Sequence, residues 1–168
     1  STLKADVVVA FRRTHTIYLA TGPLTTYDGM EFYVPDENRW VVNYPKMHYT
    51  NGVKKNSPEG TNGWYKHLVR VFKNYCKEVS VDVPSYFLEC LIYNAPNNLF
   101  GPNYQTSFNK VLDWLRTAPL ENFMCQNGSL SLFGLSGRQA LFGPTPEQWN
   151  AAKAEAVICH LIRMRSKL

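Results

Sequence analysis

Asn62-Gly-Trp-Tyr-Lys-His-Leu-Val-Arg-Val-Phe-Lys-Asn-Tyr-Cys-Lys-Glu-Val79 carries two periodicities at once. Trp64, Leu68, Val71, Phe72, Tyr75 and Val79 recur every three or four positions, the spacing of one helix face. Lys66, Arg70, Lys73 and Lys77 stand at i, i+4, i+7 and i+11, so the same helix lines up its cations on a second face. Like charges so spaced repel, by roughly 0.2–0.5 kcal/mol per pair in an isolated helix. A cationic row behind a buried stripe therefore suggests an anionic ligand such as a polyphosphate. By spacing alone, a solvated basic face is the more economical reading.

Outward from this helix, the chain divides into a strand-like beginning and a helical remainder. Lys4 to Phe11 is rich in β-branched residues and predicts a strand with one carboxylate, Asp6, inside it. A second strand is expected over His15 to Ala20, with turns at Thr21-Gly-Pro23 and Tyr27-Asp-Gly29. Glu31 to Val34 and Arg39 to Asn43 read as a hairpin across Pro35 to Asn38. Tyr44-Pro45 closes this region, and a polar segment from Asn51 to Gly63 delivers the chain into the basic helix, with Thr61 or Asn62 as its N-cap.

Pro84 suits the first turn of a second helix, Ser85 to about Asn94, which is apolar on nearly every side and so belongs at the centre of a helical lobe. Thr106 to Thr117 predicts a third. Thr145-Pro-Glu-Gln148 has the capping-box pattern and opens a last helix running to about Arg165.

With 168 residues and a mass of 19.3 kDa, the chain has room for one substantial domain or two small lobes. Its 45% hydrophobic content supports a packed core. A net charge of +5 permits nucleotide or nucleic-acid binding but is too modest for a histone-like polybasic binder. Cys76, Cys90, Cys125 and Cys159 are scattered without zinc-ligand spacing, as expected of buried free thiols in a reducing cytoplasm. No apolar run is long enough to span a membrane.

Asp6, a carboxylate between valine-rich neighbours on a strand, is either an edge-strand charge or a ligand for a hard cation. Phosphoryl-transfer sites use a D-x-D pair plus a third carboxylate, and none of the thirteen acidic residues stand two apart. Glu89, within the apolar helix, predicts a structural salt bridge. His15, His48, His67 and His160 form no hydrolase or zinc motif, and there is no P-loop or G-x-S-x-G.

Ala5-Asp-Val-Val-Val-Ala-Phe11, Arg39-Trp-Val-Val-Asn-Tyr-Pro-Lys-Met-His48, Asn51-Gly-Val-Lys-Lys-Asn56, Tyr65-Lys-His-Leu-Val-Arg-Val-Phe-Lys73 and Val83-Pro-Ser-Tyr-Phe-Leu-Glu-Cys-Leu91, in that order, resemble the bacterial cGAS/DncV-like nucleotidyltransferases. These are relatives of the oligoadenylate synthetases in the polymerase-β-like superfamily. The resemblance covers about residues 4 to 117 well and the last helix loosely. It implies that Asp6 is the third metal-binding carboxylate, for Mg2+ or Mn2+. It implies further that Lys73 contacts the nucleotide triphosphate and that Ser85 lies near triphosphate and ribose. By the same resemblance Lys66 and Arg70, on the helix of Lys73, are expected as weaker phosphate or product contacts, and Glu89 matches a structural position.

The chain departs from the family in having Val9 where proline is usual. It also lacks the Gly-Ser turn and D-x-D pair that precede this region. The expected fold is therefore α+β, the end of a polymerase-β-like mixed sheet (residues 1–50) followed by a mainly helical bundle (51–168). The expected function is the C-terminal portion of a metal-dependent synthase of cyclic di- or oligonucleotides from nucleoside triphosphates, inactive alone. Its partners would be those triphosphates, an N-terminal catalytic half in the same protein or another chain, and a possible regulatory protein. The resemblance places it in the cytoplasm, in anti-phage signalling. An RNA 3′-end nucleotidyltransferase and a non-catalytic nucleotide- or RNA-binding module of the same fold are the alternatives.

Overall fold

Phe11–Ile17, Thr25–Val34 and Arg39–Asn43 form β1, β2 and β3, an antiparallel sheet in chain order. The computed structural model describes residues 9–17, 25–35, 38–126, 132 and 151–165, and the chain splits into two units, Ser1–Tyr49 and Thr50–Leu168. The architecture is α+β. In the first unit the pairing places Arg12 opposite Met30 and Arg13 opposite Gly29. Each arginine reaches diagonally to a carboxylate on β2. Arg12 meets both oxygens of Asp28 at 3.2 Å, and Arg13 meets those of Glu31 at 2.9 and 3.1 Å. Because neighbouring residues point to opposite faces, the two pairs brace the strands on opposite sides. On the Arg13 side the exposed rings of Phe11 and Tyr33 lie 5.8 and 5.4 Å from that of Trp40.

This sheet differs from its expected layout in two respects. One strand covers Phe11–Ile17 in place of a break between Phe11 and His15, since the stretch contains no turn residue and its two arginines find cross-strand carboxylates. Tyr27-Asp-Gly29 lies inside β2 and makes no turn. A Cβ at Gly29 would come within 3.0 Å of the Asn43 carbonyl oxygen and the Tyr44 ring, so this glycine serves close approach within a strand.

The second unit is built by helices. Pro45–Asn56 is α1, whose residues from Thr50 onward belong here. Trp64–Glu78 is α2, Ser85–Tyr93 α3, Tyr104–Leu115 α4 and Ala151–Arg165 α5. The Thr145–Gln148 capping box lies outside the described residues. Helix α1 occupies part of the segment expected to be a polar linker. Its composition hides it, because Asn51 and Gly52 are poor helix formers. Gly52 lets the Gln126 amide approach, since a Cβ there would force that side chain to move. Asn51 Nδ2 donates to the Gln126 carbonyl at 2.8 Å, so packing overrides propensity.

The cap of α2 also differs from expectation. Gly63, at φ 85°, occupies the cap position, and the Thr61 hydroxyl serves the helix from outside it. It accepts from the Tyr65 N–H at 3.0 Å while donating to the Lys55 carbonyl at 2.8 Å. The buried face of α2 is Tyr65, Leu68, Val69, Phe72, Tyr75 and Cys76, so Trp64, Val71 and Val79 sit at its margin. Phe87, Leu88, Cys90, Leu91 and Ile92 of α3 are essentially inaccessible, and Phe72 packs on Phe108 of α4 with ring centroids 4.7 Å apart. Helix α5 adds Val157, Ile158 and Leu161, and the Leu161 carbonyl accepts from the Tyr75 hydroxyl at 3.2 Å. Cys76, Cys90 and Cys125 are buried as expected, but Cys159 is exposed on the outer side of α5.

Lys55, at the end of α1, is a strongly desolvated amine. Its Nζ donates to the Ala95 carbonyl and lies 5.7 and 5.3 Å from the ring centroids of Tyr93 and Phe100. Burial lowers its pKa from 10.5 to about 8. Between those values the unfolded chain holds a proton that the folded chain has released, so raising the pH through this window favours the folded state. Solvent, the carbonyl and the rings offset part of the shift. The stability of the wild type relative to Lys55→Met is expected to rise by about 1 kcal/mol from pH 8 to pH 10, read from urea unfolding. A flat difference across that range would contradict the placement of this amine.

Candidate functional site

The cationic row of α2 is real in three dimensions, but its members are not equivalent. Lys66, Arg70 and Lys77 are exposed, whereas Lys73 is half-buried. Lys73 is also the member that meets α3. Its Nζ stands 2.6 Å from Glu89 Oε1, with 32% and 28% of the two side chains exposed. Glu89 follows Ser85 by four residues, so the two share one face of α3, and Ser85 is exposed at the start of that helix. Hydroxyl, carboxylate and ammonium are thus gathered on one side of the helical unit.

The support behind this face is a set of buried hydrogen bonds. Glu89 is the only charged residue of α3. The Tyr65 hydroxyl lies 3.0 Å from the Glu89 carbonyl oxygen and 2.9 Å from Gln126 Oε1, sharing its proton between them. Burial, with the Glu89 carboxylate nearby, pushes the Tyr65 pKa far above the ordinary phenol value, so it stays a neutral donor. The Gln126 N–H donates to Cys90 Sγ at 3.3 Å, and Asn94 bridges the Cys90 and Met124 carbonyls at 2.7 and 2.8 Å. Helix α3 is therefore tied along its length, and its one carboxylate has a fixed mount.

The expected site residues divide accordingly. Lys73 pairs with Glu89, which stands one helical turn after Ser85 on α3. Lys66 and Arg70 extend the row toward the start of α2, with the Lys66 N–H donating to Asn56 Oδ1 at 2.9 Å. Asp6 lies outside the described residues. Among the described residues no three His, Cys, Asp or Glu side chains cluster as a candidate metal site. Sequence reading placed Glu89 in a structural salt bridge without naming its partner. The available signal was a lone carboxylate one helical turn after Ser85.

Comparison with known proteins bears on this arrangement. Residues 50–165 match the cGAS/DncV-like nucleotidyltransferase C-terminal helical domain. A cyclic UMP-AMP synthase of Rhodothermus marinus is 46% identical over 140 residues, which is 80% of this chain and 45% of that protein. The cyclic nucleotide synthase CdnE01 of Staphylococcus haemolyticus is 35% identical over 169 residues, 92% of this chain and 52% of that protein. The structure of the Rhodothermus marinus CdnE c-UMP-AMP synthase with Apcpp and Upnpp superposes with a TM-score of 0.78 at 41% identity, covering 96% of this chain and 54% of that one. The chain spans about half the length of the curated relatives it matches. No helix among the described residues is long and apolar enough to cross a membrane.

An ion pair exposed to this degree adds little to stability. A double-mutant cycle with Lys73→Met and Glu89→Gln, followed by urea unfolding of the chain, is expected to return a coupling of about 0.5–1 kcal/mol. A coupling of several kcal/mol would instead make the pair a support of the fold.

Proposed function

Because the chain belongs to the cGAS/DncV-like nucleotidyltransferases, we propose that it supplies the helical, phosphate-holding part of an enzyme that joins nucleoside triphosphates into cyclic di- or oligonucleotides. The observation that carries this reading is the cationic row of α2 meeting the Ser85–Glu89 face of α3 through Lys73, inside the segment matched by the family. In the reaction a ribose hydroxyl attacks the α-phosphorus of a triphosphate. A new P–O bond forms, the bond to the bridging oxygen of the β-phosphate breaks, and pyrophosphate leaves with the negative charge.

Lys73 suits the triphosphate because an ammonium is a compact charge with three donors, able to serve several phosphate oxygens in turn. Charge on the leaving pyrophosphate grows as the bridging bond breaks, and a fixed cation there stabilises the transition state more than the ground state. Arg70 and Lys66, further along the row, add longer-range attraction for the same polyanion and for the product. The Ser85 hydroxyl is able to donate to a phosphate or ribose oxygen. Mg2+ or Mn2+ is required by the reaction class. Asp6 and carboxylates of the N-terminal half would be its ligands, and the ion would supply charge neutralisation at the reacting phosphate. Kinship with cyclic nucleotide synthases supports a further role for the product as a cytoplasmic messenger in anti-phage defence.

In the full-length protein, Lys73→Ala is expected to weaken triphosphate binding about 10- to 100-fold by isothermal titration, the worth of one or two charge-assisted hydrogen bonds. Unfolding of the variant should be little changed. Unaltered triphosphate affinity would return the whole row to solvent. With no D-x-D pair in its sequence, the 168-residue polypeptide incubated alone with labelled triphosphates and Mg2+ is expected to form no product. Any triphosphate-dependent product from it would overturn that division of labour.

A further inference from the structure

Glu89 is an odd neighbour for a lysine assigned to grip phosphate. A carboxylate 2.6 Å from Lys73 Nζ cancels much of the charge that attracts a triphosphate, and it repels the triphosphate directly. Stability is a poor reason for it, because a pair left about a third exposed gives little to the fold. Nor is the carboxylate placed there by loose packing. It projects from a helix whose Phe87, Leu88, Cys90 and Leu91 are buried, and whose backbone at Glu89 faces the Tyr65 hydroxyl. Lys66, Arg70 and Lys77, the other cations of the row, are more exposed than Lys73. The fold thus sets an anion on a buried helix beside Lys73 and leaves about a third of each side chain exposed.

We propose that Glu89 is a resident counter-anion for Lys73, holding the ammonium in place when no nucleotide is bound and yielding it to a phosphate oxygen when one is. Glu89 is a positioning residue in this scheme and touches no substrate. The inference rests on the assignment of Lys73 to the triphosphate. Its physical content is an exchange of one charge-assisted hydrogen bond for another. Nucleotide binding must displace the carboxylate, so the grip is weaker than that of a bare lysine. After bond formation the carboxylate reclaims the amine and helps pyrophosphate leave. The ordering of the four-carbon lysine stem is done before the ligand arrives, which keeps the amine on target despite the weaker grip.

The test is equilibrium binding of the methylene analogue of ATP, and of inorganic pyrophosphate, to the full-length protein and its variants. Glu89→Gln, which keeps the shape but loses the charge, is expected to bind both ligands about fivefold more tightly. The gain should be larger with Lys73 present than in the Lys73→Ala background. Turnover should show the split this scheme requires, with a lower KM, stronger inhibition by pyrophosphate and no increase in kcat. Glu89→Asp keeps the charge but draws the carboxylate back by one methylene, so it should also tighten binding. That variant carries the test if Glu89→Gln does not fold.

Equal gains with and without Lys73 would mean that Glu89 acts only as a background charge, and would overturn the exchange. Weaker binding by Glu89→Gln or by Glu89→Asp would overturn it too. If Lys73→Ala leaves triphosphate affinity unchanged, the assignment of the nucleotide site fails first, and that result is separable from a failure of the exchange.

Discussion

Helix α3 has almost no surface to give to water, and the organisation of the helical unit follows from that constraint. A nine-residue helix with its apolar side chains buried needs neighbours on several sides, and α2 and the segment around Gln126 are among them. Its backbone polar groups are then held inward, by the Tyr65 hydroxyl at Glu89 and by Asn94 at its end. The charge on α3 has one way out, toward the exposed row of α2, and there it meets Lys73. The polar site is thus a by-product of how completely the rest of α3 is enclosed.

Much of this was legible in the residues, for reasons specific to each element. Helix α2 has a strong 3.6-residue pattern, and α3 is apolar on nearly every side, so both appear in the sequence with nearly the observed bounds. The site was less legible. Lys66, Arg70, Lys73 and Lys77 look alike in spacing; the family motif sets Lys73 apart, but that a carboxylate sixteen residues away stands beside it is visible only from the position of α3. Ser85 could be found from its family motif, but its relation to the ion pair depends on tertiary packing. Helix α1 was missed because Gly52 weakens the local signal, and its justification lies against Gln126, seventy-four positions later. In the sheet, Gly29 read as a turn because glycine usually marks one, whereas the ring of Tyr44 is what requires it.

The two units divide their polar interactions differently. In the sheet, Arg12 and Arg13 answer carboxylates two residues along the facing strand, contacts that local register creates. In the helical unit, the ties that matter cross long sequence distances, as from Asn51 to Gln126, from Tyr65 to Gln126 and from Tyr75 to Leu161. Short-range contacts are readable from a strand pattern, and long-range ones are not. That difference explains why the sheet was misjudged in its boundaries, while the helical unit was misjudged in its connections.

Phe72 and Lys73 are adjacent, one fully buried against Phe108 and the other facing Glu89. Successive residues of a helix are separated by about 100° around its axis. A single codon inserted or deleted between Trp64 and Phe72 would therefore swing Phe72 and Lys73 together by that angle if the core kept its register upstream, or turn the buried residues before the change out of the core if those two stayed in place. Substitutions at the exposed positions of α2 leave this geometry alone, but changes of length within the helix do not. The segment from Trp64 to Lys73 is consequently a stretch of fixed length in any descendant of this protein that keeps both its core and its cation, and variation in length is confined to the connections on either side.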